Sequence, residues 1–133
     1  MKTQKQIAEI PASGVEVLLE GAVTRLFFDF TDPEPREEGE EVPADLKCCE
    51  SVDVIGSSYA LMVSGIINDR YNADSNQALI ANYELAKDSE SGISEEKRAE
   101  YTAEYAAYQE WRSHAKAIAR IAVAELENLS AAE

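Results

Sequence analysis

From Ser94 to the end of the chain there is neither glycine nor proline, and apolar or aromatic residues recur every third or fourth position. Tyr101, Tyr105, Tyr108, Trp111, Ala115, Ile118, Ala122, Leu126 and Leu129 form that series, at the mean spacing of a coiled-coil seam. Ser94 is a natural N-cap, and Glu95 and Glu96 suit the positive end of the helix dipole. The pattern predicts one amphipathic helix from Ser94 to about Leu129. At 1.5 Å per residue such a helix is roughly 54 Å long. A compact domain of this size has a diameter of roughly 36 Å. The helix therefore outruns its own domain, and the continuing apolar stripe argues that the excess packs on another molecule.

The preceding residues read as β structure and then as two shorter helices. Val15, Val17 and Leu19 alternate with Glu16, Leu18 and Glu20 before Gly21 interrupts. Ala22–Phe30 repeats the pattern, with Ala22, Leu26, Phe28 and Phe30 on one face and Arg25 and Asp29 on the other. Leu46–Ile55 places Leu46, Cys48, Val52 and Val54 together, and Lys47, Cys49, Ser51 and Asp53 opposite. Glu50 is the one charge on the apolar face, a sign of a bulge or of a weaker strand. After Gly56, Ser57 is the expected cap of a helix striped by Tyr59, Met62, Val63, Ile66 and Ile67. Asp74 and Gln77 suggest a capping box for a second helix, with Leu79, Ile80 and Tyr83 as its stripe and Gly92 as its exit. Residues 1–14 either add a strand or stay loose. The expected fold is α+β, a single domain over 1–133: a small antiparallel meander of about three strands (15–56), then three helices (57–129), the last long and amphipathic.

Charge narrows the function classes. The 26 acidic residues against 12 basic leave a net −14, which repels phosphate backbones and anionic membranes. No nucleic-acid or membrane partner is expected. No apolar run has the length of a membrane span, and the start of the chain lacks the apolar core of a signal peptide. The expected location is the cytoplasm of a bacterial host, or a virion. Adjacent Cys48 and Cys49 make a poor disulfide and lack redox or zinc spacing, so free thiols are expected. The segment 31–45 carries three prolines and seven carboxylates and reads as a solvated hairpin loop. It lacks the ligand spacing of a calcium loop, as does NDRYNADSN at 68–76.

No catalytic, cofactor-binding or metal-binding motif emerges, and a non-enzymatic protein is expected. His114, the sole histidine, has no sequence neighbours with which to build a triad or a metal site. Arg112, Lys116 and Arg120 make a basic ridge off the apolar seam, either a solvated face or a receiver for an acidic partner, including the 32–45 loop of a neighbouring subunit. The candidate interaction residues are Trp111, Ala115, Ile118, Ala122, Leu126 and Leu129, with Arg112, Lys116 and Arg120. The stretch Tyr101–Trp111 is expected to serve the core, and Ala115–Leu129 to make the contacts.

The order strand, DVIG, short helix, YNADSNQALIANY, acidic turn, YQEWRSHAKAIA resembles small uncharacterised proteins of phage and prophage structural modules in gut bacteria. The resemblance spans residues 52–124, with Tyr108–Ala119 its best segment. It implies a virion, assembly or accessory role and carries over no site residues. The leading expectation is thus a phage-derived structural or accessory protein that assembles through its C-terminal helix, with itself or with virion proteins. The alternative is an acidic decoy that mimics nucleic acid and occupies a host DNA-binding protein.

Overall fold

A computed structural model describes residues 1–34 and 41–131, without the side chains of the last two. Four strands, β1 (Lys2–Gln6), β2 (Val15–Glu20), β3 (Val23–Thr31) and β4 (Leu46–Ile55), precede three helices, α1 (Tyr59–Arg70), α2 (Ala73–Lys87) and α3 (Glu95–Ala131). The sheet is antiparallel throughout, in the order β1-β4-β3-β2. β2, β3 and β4 form the expected meander. β1 is the additional strand, lying against β4 with Lys2 opposite Glu50 and Gln6 opposite Leu46. The middle of the 31–45 loop, residues 35–40, lies outside the described residues.

One face of the sheet carries α1 and α3. Val15, Leu26, Phe28, Val52 and Val54 meet Met62 and Ile66 of α1, and Trp111, Ala115, Ile118, Ala119 and Ala122 of α3. Each large apolar group buried this way contributes about 1.5–3 kcal/mol. Alanines at 115, 119 and 122 let α3 lie close to the strands. α1 lies close too, because Gly65 presents no side chain to Val54. Trp111 ties the two helices: its indole N–H donates to the Ile66 carbonyl at 3.0 Å, and the Arg70 guanidinium lies 3.5 Å over its ring.

Local details correct several expectations. Ala22 lies in the β2–β3 turn, where Gly21 takes a φ of 61°, so β3 starts at Val23. Ser58, not Ser57, caps α1, accepting from the Leu61 amide at 3.2 Å. Asn72 caps α2, accepting from Ser75 at 2.9 Å; the expected box from Asp74 sits two residues too far along. Ser94 caps α3 as expected, accepting from the Lys97 amide at 3.1 Å. On β4 it is Cys49, on the outer face, that is fully buried, while Cys48 is half-buried. β1 supplies the cover. Lys5 Nζ passes 4.4 Å above the Phe27 ring and pairs with Glu16 on the opposite edge strand at 3.3 Å.

Candidate functional site

α3 is the expected interaction element, and its apolar seam from Trp111 to Ala122 is taken up by the core of this chain. Trp111 (6% exposed), Ala115 (0%), Ile118 (6%) and Ala122 (0%) are core residues of this chain and present no surface to a partner. The sheet, rather than a second molecule, fills the holes of that seam. Leu126 is half-buried against the same core, leaving Leu129 exposed. Of the Tyr101–Trp111 stretch expected to serve the core, Tyr108 and Trp111 are buried, whereas Tyr101 and Tyr105 are half-buried and the earlier turns pack on α2. There Tyr105 stacks on Tyr83 with ring centres 3.9 Å apart and planes 6° from parallel. At 37 residues α3 spans roughly 55 Å. Its overhang is real, but lies mainly at the N-terminal end, where α2 covers one side.

The basic ridge keeps an outward place. Arg112 is half-buried, donating to Gln109 Oε1 at 3.1 Å with its guanidinium 5.8 Å over Tyr108. Lys116 and Arg120 are exposed, and among the described residues neither has an ion-pair partner. Arg120 borders a shallow groove of about 410 Å³ shared with Tyr59 of α1 and Val123 of α3. The result is a cationic rim beside apolar carbon, on a chain that is otherwise acidic. Leu19 on β2 and Leu129 on α3 are 57% and 51% exposed.

A second concavity opens where the sheet runs past the helices. It has a volume of about 830 Å³, and its lining includes Gln4, Asp29, Thr31, Asp32, Cys48 and Glu50. Sequence reading found none of its pairings, which join residues far apart in the chain. A bulge in β3 between Phe28 and Thr31 turns Asp29 into the left-handed region at φ 56°. Its carboxylate meets His114 Nε2 at 2.8 and 2.9 Å, so Nε2 carries the proton and the carboxylate accepts. Phe28 and Trp111 flank the imidazole with ring centres 6.0 and 5.5 Å away. His114 thus fastens α3 to the bulge. The bulge signalled by Glu50 exists, but on the facing strand. Glu50 is buried and accepts from Arg70 Nη2 at 3.2 Å, and the Met1 amino group lies 3.3 Å from its other oxygen. Lys47 pairs with Asp32 at 2.5 Å, and Gln4 Nε2 lies 3.9 Å from the Cys48 sulfur. Burial raises the Cys49 thiol above its usual range, with the nearby Lys5 charge opposing in part. These contacts hold elements together.

Among the described residues no group of three or more His, Cys, Asp or Glu side chains is placed to hold a metal ion, and no helix is long and apolar enough to cross a membrane. The geometry defines a four-stranded antiparallel sheet with two helices on one face and a helical arm extending from it. Compared with protein-family models, curated proteins and solved structures, the chain finds no match.

Proposed function

We propose that the chain is a non-enzymatic interaction protein, a structural, assembly or accessory component of phage origin, that associates with a second copy of itself through the outer side of α3. One observation carries this reading. Lys116 and Arg120 are exposed and without an ion-pair partner among the described residues, and Arg120 borders the Tyr59–Val123 groove, on a chain of net charge −14. Any second copy brings an excess of carboxylates, so the ridge is the favoured point of contact between like molecules. Leu129 extends the contact with exposed apolar surface. The phage origin rests on the resemblance over residues 52–124.

Light scattering over a concentration series is the test. Mass is expected to rise toward a dimer, and less so at high salt, because exposed charges are screened. Lys116→Glu with Arg120→Glu should weaken association by roughly tenfold or more, the scale of a lost charge contact. A strict monomer at every concentration refutes self-association.

The acidic decoy is favoured by a different feature. Glu96, Glu100 and Glu104 are all exposed at four-residue intervals, a row of carboxylates about 6 Å apart along α3. A host DNA-binding protein captured by the wild type should be displaced by duplex DNA and lost on neutralising that row. Capture that ignores both changes sinks the decoy.

A further inference from the structure

α2 is held differently from the other helices. It packs along the first half of α3 and, among the described residues, makes no other extensive contact. Ala86 is its one buried residue, while Ile80 and Leu85 are exposed. Its attachments are few: the Tyr83–Tyr105 stack, and the Arg98 guanidinium, which donates to the carbonyls of Ala86 and Asp88. Both ends are jointed. Tyr71 and Asn72 are extended at the entrance, and Gly92 takes a φ of 75° in the exit turn. A 15-residue helix has little stability in water by itself, so α2 keeps its shape chiefly while docked.

What α2 covers gives the arrangement its meaning. Arg98, Tyr101, Tyr105, Gln109, Arg112, Lys116 and Arg120 follow one another at intervals of three or four residues. They form a second stripe on α3, distinct from the core seam. α2 lies over the Arg98–Tyr105 part, Arg112 is half-buried, and Lys116 and Arg120 are bare.

We propose that α2 is a hinged cover, opening as a unit while the sheet, α1 and the rest of α3 stay folded. Opening turns the short bare ridge into a continuous aromatic and basic stripe from Arg98 to Arg120, available to a second copy of the chain. That use of the stripe rests on the self-association proposed above; the opening does not.

Hydrogen exchange on the full-length chain, read by mass spectrometry at increasing denaturant, tests the opening. Amides of 73–87 should exchange through an event with weak denaturant dependence, well ahead of 23–31 and 110–122. Tyr83→Ala should speed exchange in 73–87 by roughly tenfold, the scale of one aromatic pair, and leave β3 protection unchanged. Tyr83→Phe keeps the stack and should behave as wild type. Exchange of α2 in step with β3 at every denaturant concentration overturns the proposal. Light scattering then separates the two ideas. A wild type that dimerises no more weakly than Tyr83→Ala overturns the covering role alone, whereas a wild type that never dimerises overturns the self-association reading and leaves the hinge to the exchange data.

Discussion

Gly65 offers a quantitative test of how α1 sits on the sheet. A Cβ at this position would lie 2.8 Å from Val54 Cγ2 and 3.6 Å from Val52 Cγ1, the first distance too short for a non-bonded pair of carbon atoms. In a free helix, Gly→Ala gains about 1 kcal/mol. Here the added methyl meets a branched side chain that is itself buried, and overpacking costs about 1–3 kcal/mol. Gly65→Ala should therefore destabilise by about 1 kcal/mol. Val54→Ala removes two methyl groups at about 0.8 kcal/mol each plus a cavity cost, about 2 kcal/mol in all. In the double variant the clash disappears and the helix gain remains, so the loss should be only about 1 kcal/mol. The two changes are then coupled by about 2 kcal/mol, within the range for touching residues. Urea unfolding followed by Trp111 fluorescence is the assay, because the chain has one tryptophan and it lies in the core. Midpoints should move at constant slope. If Gly65→Ala stabilised the protein by the full helix gain and the double variant were additive, the close seating of α1 on β4 would be wrong.

Three further outcomes follow from the strands. Cys49 should label with a maleimide far more slowly than its neighbour Cys48, and Lys5→Ala should narrow the gap by lifting the cover over Cys49; equal rates in the wild type would refute the cover. Since burial raises the folded Cys49 pKa, its ionisation favours the unfolded chain, and its contribution to stability should decline as pH rises past the ordinary thiol range. At the bulge, Asp29→Ala loses the His114 contact and keeps the strained backbone, so it should cost about 1–2 kcal/mol. Asp29→Gly relieves the strain and should cost less, and thermal melts that placed the two variants in the opposite order would count against a strained Asp29.

What could be read from the sequence was whatever repeats at short range. Val52 and Val54 alternate because β4 has one apolar face, and Ser94 precedes α3 because a helix start needs an acceptor. β1 escaped firm assignment because KTQKQ has no apolar residue to alternate. It is an edge strand whose principal side-chain work, through Lys5, is charged. The length of α3 announced an overhang, but spacing alone does not tell a sheet from a partner helix. Ala115 and Ala122 suit either, and only the position of β2 and β3 decides. The pairs Asp29–His114 and Glu50–Arg70 join residues 85 and 20 positions apart, beyond the reach of any local pattern. Even so, Glu50 was visible as a charge on the wrong face, a buried carboxylate in need of a cation.

The placement of β1 also sets an order of events during synthesis. Its partners lie in β4, with Lys2 opposite Glu50, whereas β2 pairs with β3 and β3 with β4, neighbours in sequence. At translation speeds of about 5–20 residues per second, β1 waits on the order of 2–10 s before its partner is made. The meander has shorter loops to close and can form first; β1 must close the longest loop in the sheet. The first strand made is thus the last to dock. Until it does, the free edge of β4 is a bare template for other chains, with Cys48 and Cys49 on it. A chain slowed at this step has two hazards at one place, strand addition and thiol oxidation.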